Sequence, residues 1–175
     1  MIYLENYDSP IGEIILGSDG RHMIGLWIGP QKNDSYILKN CSCTYSHVPV
    51  FDMAKNWLDI YFKGECPDFT PPVAFPYGSD FRREVWQLLL DIPYGELTTY
   101  GALAKKMAEK LGRPAMSAQA IGGAVGHNPI SVIVPCHRVI GAGGNLTGYG
   151  GGLDIKEKLL QIEHFDMSRF HRPKV

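Results

Sequence analysis

Three prolines within six residues, Pro71, Pro72 and Pro76, constrain this chain most, because they divide two stretches whose apolar residues repeat with different periods. Proline lacks a backbone N–H and holds φ near −65°, so residues 67–78 are a poor place for regular structure and read as a linker. Ahead of it, residues 2–6, 12–16 and 23–27 are rich in β-branched and large apolar side chains, separated by the turn residues Ser9-Pro10 and Ser18-Asp19-Gly20. They predict a β meander. After a polar, irregular stretch, Phe51, Ala54, Trp57, Leu58 and Tyr61 recur at helical spacing over residues 50–62, with Gly64 as a stop. The expected N-terminal unit, residues 1–78 with the linker, is a small antiparallel sheet with one helix across it.

Beyond the linker the period becomes helical. Phe81, Val85, Leu88, Leu89 and Ile92 share one face of a helix ended by Pro93-Tyr94-Gly95. Thr98 is the expected cap of the next helix, with Leu103, Ala104, Met107 and Leu111 as its stripe and Gly112 past its end. Ser117 is the expected cap of a third, residues 118–126, stopped before Pro129. Two short helices joined by a tight turn suggest a helix-turn-helix, so residues 79–175 are expected to form a mostly helical, winged-helix-like domain and the whole an α/β protein. In the third helix a 3.6-residue turn puts Ala118, Ile121, Gly122 and Val125 inward and Gln119, Ala120, Gly123 and Gly126 outward. That outward face carries no charge and almost no bulk, although each helix-interior glycine costs about 1 kcal/mol relative to alanine. Something is expected to approach it closely, either a groove of DNA or another protein element.

Pro135-Cys136-His137-Arg138 follows an apolar run, residues 130–134, expected to be extended, and precedes the glycine-rich residues 141–144. Cysteine attacks as the thiolate, and since a free cysteine thiol titrates at about 8.5 it needs a base or positive neighbour, which His137 can be. The dipeptide alone fits a small buried hydrophobe equally well. In a last helix capped by Asp154, with Ile155, Leu159 and Ile162 buried, Glu163 stands beside the apolar side. It either partners His137 or ends the helix in solvent.

Net charge is −1, yet residues 1–80 hold five Lys/Arg against ten Asp/Glu and residues 81–175 hold twelve against eight. Such asymmetry is expected when only one half faces phosphate. No apolar run approaches the ~20 residues needed to cross a bilayer, and Met1-Ile2-Tyr3-Leu4-Glu5 lacks the basic start of a signal peptide, so a cytoplasmic, reducing location is expected. Cys41, Cys43, His47 and Cys66 match no strong zinc spacing; free thiols are the expectation, and no metal is assigned.

With Asn128-Pro129 upstream and Tyr149-Gly150-Gly151-Gly152-Leu153 through Lys156-Glu157 downstream, the Pro-Cys-His-Arg segment resembles the O6-alkylguanine-DNA alkyltransferase family. The resemblance spans about residues 81–163, and more loosely the N-terminal part. It implies repair of double-stranded DNA containing O6-alkylguanine, and O4-alkylthymine, by a monomer that takes the alkyl group once, irreversibly and without a cofactor onto Cys136. It implies a relay of Glu163 and His137 to Cys136, and Asn128 as a bridge between recognition helix and active-site loop. Tyr100 would donate toward N3 of the flipped guanine, with Val139, Tyr149 and Gly150 also lining the base; Thr99, Ser117, Gln119, Ala120, Gly123 and Arg138 would meet DNA. Two positions depart from the family pattern: Gly150 stands where many members have serine, and Gln119 where many place an arginine that enters the stack. The readings set against this one are a non-catalytic alkyltransferase-like damage binder, a cysteine hydrolase and a helix-turn-helix transcription factor.

Overall fold

The three N-terminal apolar segments run one to three residues beyond their predicted ends and pair in order, as β1 (Ile2–Ser9), β2 (Gly12–Ser18) and β3 (Met23–Ile28). Both pairings are antiparallel, with Tyr7 opposite Ile14 and Leu16 opposite Leu26. Two short helices, α1 (Gln31–Asp34) and α2 (Tyr36–Asn40), then carry the chain to the far side of β1. There β4 (Cys43–Tyr45) pairs in parallel, giving the order β3-β2-β1-β4. The sheet is therefore mixed rather than purely antiparallel, as a crossover connection allows. α3 (Pro49–Phe62), with proline at its first position, buries Phe51, Ala54, Trp57, Leu58 and Tyr61, the five residues its spacing predicts. Gly25 permits a close approach in the sheet: a Cβ there would lie 2.0 Å from the Trp27 ring.

The computed structural model describes residues 1–173. They form two units, Met1–Pro76 with Pro129–Ile133, and Tyr77–Asn128 with the residues from Val134 onward. In the first unit β3 is buried along its whole length, and its free edge is covered at Met23 by Pro72–Ala74 and at Leu26 by Pro129–Ile133. The Leu26 N–H donates to the Pro129 carbonyl (2.9 Å), that of Ser131 to Leu26 (3.2 Å), and Gln31 Nε2 to Ser131 Oγ (2.7 Å). The expected extended run over residues 130–134 shrinks to this bridge at Ile130, and a turn follows in which Val132 has φ +71°. That conformation is strained for a β-branched residue.

The second unit is built on α4 (Asp80–Leu90), α5 (Tyr100–Lys110), α6 (Ala118–Gly126) and α7 (Leu153–Ile162). Trp86, absent from the predicted stripe of α4, is buried and donates its indole N–H to the Ala124 carbonyl of α6 (2.8 Å). Thr99, not Thr98, caps α5, because Thr98 and Thr99 form a two-residue strand β5 paired in parallel with β6 (Val139–Ile140). Leu111 lies past the last turn and is exposed; Ala108 is buried in its place. Ser117 caps α6 as expected, and Ala124 rather than Ala118 completes its inward face. Gly152 (φ +98°) precedes α7, so Asp154 lies inside the first turn instead of capping it. Among the described residues no helix is long and apolar enough to cross a membrane.

Candidate active site

Cys136 opens a single 3₁₀ turn, Cys136–Arg138, and is buried. The turn is held at both ends. The Cys136 N–H donates to Val134 (2.8 Å) and that of Arg138 to Pro135 (3.0 Å). Asn128, buried just beyond α6, donates its side-chain amide to the Val134 carbonyl (2.9 Å), which ties the end of that helix to the loop bearing the thiol. β6 follows the turn at once and pairs with the strand that leads into α5, bringing Tyr100 to the same region.

His137 and Glu163 meet with both side chains fully buried, through His137 Nε2 and Glu163 Oε2. The other carboxylate oxygen accepts from Arg138 Nε (2.8 Å) and from the Gly95 N–H (3.2 Å). Burial pushes the Glu163 carboxyl up, but the hydrogen bond from His137 and the charges of His137 and Arg138 outweigh it and hold the group at about 2. Burial also pulls His137 down, more than Glu163 raises it. Arg138 supplies a permanent positive charge that helps keep Glu163 ionised whatever the protonation of the ring. With Nε2–H directed at the carboxylate, the buried Nδ1 is the basic nitrogen.

Arg138 departs from its expected place against DNA. Its guanidinium is buried, bound to Glu163 and to the Ile92 carbonyl (2.7 Å) and lying 5.7 Å from the Tyr94 ring centre. A cation committed in this way is not available to phosphate.

Sequence reasoning missed Lys156. It is wholly buried on α7 and donates Nζ to the carbonyls of Val139 (2.7 Å) and Thr147 (3.0 Å). The signal was present, since Lys156 lies three residues before Leu159 and seven before Glu163, on one helical stripe. The buried set on α7 is Lys156, Leu159 and Leu160, while Ile155 and Ile162 are only half-buried. The Tyr100 hydroxyl also donates to Thr147 (3.0 Å), and burial raises it, so it remains a donor. Tyr149 and Gly150 lie half-buried in the loop that leads to α7.

The outward face of α6 is bare. Ser117, Gln119, Ala120 and Gly123 are exposed, and a Cβ added at Gly123 or Gly126 would meet nothing within 4 Å. Ser117 Oγ and Thr99 Oγ1 accept the N–H groups of Ala120 and Ala102 as caps (both 3.0 Å), with each hydroxyl proton left to donate. Among the described residues no three His, Cys, Asp or Glu side chains form a metal cluster. His47 engages Glu5 and Asp52, and Cys43 its neighbouring carbonyls.

Fold and site together define a buried cysteine next to a buried His–Glu pair, in the unit that carries the helix pair α5 and α6. Residues 80–165 match the 6-O-methylguanine DNA methyltransferase DNA-binding domain, and residues 2–75 the ribonuclease-like domain of the same family. The chain belongs to the 6-O-methylguanine DNA methyltransferase family. It is 42% identical to the methylated-DNA–protein-cysteine methyltransferase of Methanosarcina acetivorans, over 93% of this chain and 98% of that one. The Haemophilus influenzae protein of the same name is 38% identical, over 93% and 86%. The crystal structure of Mycobacterium tuberculosis OGT in complex with DNA superposes with a TM-score of 0.75 at 39% identity, covering 96% of this chain and 94% of that one.

Proposed function

We propose that this protein repairs O6-alkylguanine, and O4-alkylthymine, in duplex DNA by transferring the alkyl group once to Cys136. It acts as a monomer in a reducing cytoplasm, with residues 1–78 as support and residues 79–175 as the DNA-binding and transfer domain. A guanine alkylated on O6 is buried in the base stack and must be turned out before sulfur can reach it. The bare face of α6 suits a groove, Gln119 at its start takes the place of the departing base, and Ser117, Ala120, Gly123 and Thr99 lie along the contact.

The chemistry follows from the buried array. Glu163 orients His137, whose Nδ1 takes the Cys136 proton directly or through water, and the carboxylate stabilises the resulting imidazolium. The thiolate attacks the alkyl carbon in line. The S–C bond forms, the C–O6 bond breaks with its electron pair going to the purine, and a proton restores guanine. Tyr100 turns its hydroxyl from the Thr147 carbonyl to the purine as negative charge develops there. The Val139 carbonyl, already accepting from Lys156, has a second lone pair for the exocyclic amine, and Tyr149 and the Gly150 amide complete the pocket. No step regenerates the thiol, so the protein is consumed.

The observation that carries this reading is the enclosed Cys136–His137–Glu163 array, tied through Asn128 to the uncharged helix. Intact mass after incubation with O6-methylguanine duplex tests it. One added methyl group, located on Cys136, is the expected result. An unchanged mass with DNA bound would indicate a damage binder, and repeated turnover a hydrolase.

A further inference from the structure

Residues 147–152 lead into α7 and include Tyr149 and Gly150 of the proposed base pocket, yet four of the six are glycine. Such a segment has little side chain to pack and much backbone freedom to lose. Its entry is fixed from outside at the Thr147 carbonyl, which accepts from two side chains, Lys156 Nζ (3.0 Å) and the Tyr100 hydroxyl (3.0 Å). Lys156 reaches further. Its Nζ also donates to the Val139 carbonyl (2.7 Å), at the start of β6 and directly after the Cys136–Arg138 turn. One wholly buried ammonium thus joins β6, the entry of the glycine-rich segment and the helix on which it stands. A lysine suits that task because it carries three donors and no acceptor, and its bonds to carbonyls are charge-assisted. The two donors on Thr147 differ in what the transfer scheme asks of them: the tyrosine hydroxyl turns away to the purine, while the lysine is given no step at all.

We propose that Lys156 is a positioning residue, the fixed brace that holds residues 147–152 against β6 while the Tyr100 hydroxyl leaves Thr147 for the flipped guanine. The inference rests on the alkyl-transfer reading. With the lysine in place the Thr147 carbonyl keeps one of its two donors when the tyrosine departs, and the segment keeps its tie to β6. Without it, Tyr100 is the one side-chain donor on that carbonyl among the described residues. Its departure then strands the acceptor and frees the segment, so the hydroxyl is held where it is. Lysine and tyrosine are therefore coupled through a shared acceptor, and Tyr100 serves the purine only as far as Lys156 holds Thr147. A lysine that did no more than fill the core would add stability and leave the value of the Tyr100 hydroxyl to transfer unchanged.

The test is a double-mutant cycle on the rate of benzyl uptake from free O6-benzylguanine, which needs no base flipping, followed by intact mass. With Lys156 present, Tyr100→Phe should slow transfer by about tenfold or more, the loss of a hydrogen bond to developing charge. In Lys156→Met the same change should slow it by less than about threefold, and Lys156→Arg should restore most of the full tyrosine effect. Independent penalties in folded proteins overturn the brace alone, as does a Tyr100→Phe protein with the wild-type rate. No benzyl uptake by the wild type overturns the transfer reading and this inference with it. If Lys156→Met does not fold, NMR of Cys136→Ala saturated with O6-benzylguanine decides, with ¹³Cζ-labelled tyrosine and ¹⁵Nζ-labelled lysine. The Tyr100 signal should shift on saturation while the Lys156 signal stays in place; an unmoved Tyr100 or a displaced Lys156 contradicts the proposal.

Discussion

The outward face of α6 and the interior around Cys136 lie on either side of one asparagine, yet they are built on opposite terms. Around Cys136, charged groups are buried and matched, carboxylate to guanidinium and imidazole, ammonium to carbonyls. On α6 the exposed residues carry no charge, and two glycines leave open space. A buried network is costly when only partly satisfied, so it is assembled before any substrate arrives. A helix face kept bare at the expense of stability gains its contacts only from a partner. The chemistry is thus pre-organised while the recognition surface is left incomplete, and substitutions in the two regions should fail in different ways.

The largest effect belongs to the nucleophile. Cys136→Ala should take up no alkyl group while binding duplex DNA as the wild type does, since a small apolar side chain replaces a buried thiol and introduces no charge. Methyl label appearing on another cysteine of that variant would refute the assignment.

Glu163→Gln should come next. Removing general acid–base support of this kind typically slows reaction 10²- to 10⁴-fold, and the loss should appear with free O6-benzylguanine as well as with DNA. The variant also leaves Arg138 buried without its anion, at a cost of about 3 kcal/mol, measurable by urea unfolding. The pH dependence has a definite sign. Glu163 is held at about 2 in the folded protein against an ordinary value near 4.3, so its stabilisation is complete above the ordinary value and fades as pH falls toward 2. Wild-type stability should fall more steeply than that of Glu163→Gln across this window; parallel acid limbs would mean the carboxylate is not the ionised partner of Arg138.

Much of this is legible in the sequence, because periodicity reports which face is buried. The five inward residues of α3 and the cap of α6 follow from spacing and side-chain chemistry, and spacing also sets Glu163 beside the apolar side of α7. Tertiary pairing erases other signals. Thr98 looks like a cap until β5 pairs with β6 and moves that role one residue on. Leu111 fits the stripe of α5 by number, but the helix has ended there. By residue type alone Lys156 and Arg138 belong in solvent or against phosphate, whereas their burial depends on partners remote in the chain, among them Thr147 and Ile92. An apolar run such as residues 130–134 does not announce a left-handed valine.

Smaller effects sharpen the contrast from the α6 side. Gln119→Arg adds a cation where the helix has none. It should tighten DNA binding by about 1 kcal/mol and steepen the dependence of log K on log salt by about one, read by anisotropy at several salt concentrations. Gly123→Ala should raise stability by up to about 1 kcal/mol, because it removes a helix-interior glycine where no atom stands in the way. A destabilised Gly123→Ala protein would show that this face is covered within the protein itself.

The central claim, that recognition and chemistry are separable, is tested most directly by one ratio: the second-order alkylation rate with O6-methylguanine duplex divided by that with free O6-benzylguanine, measured for Gly123→Leu and for Glu163→Gln. Gly123→Leu should lower the ratio by tenfold or more, on the order of 1.4 kcal/mol, because the added side chain obstructs DNA but leaves the thiol untouched. Glu163→Gln should slow both reactions and leave the ratio within about twofold of wild type. A Gly123→Leu protein with the wild-type ratio, or a Glu163→Gln protein slowed with duplex alone, would contradict the account.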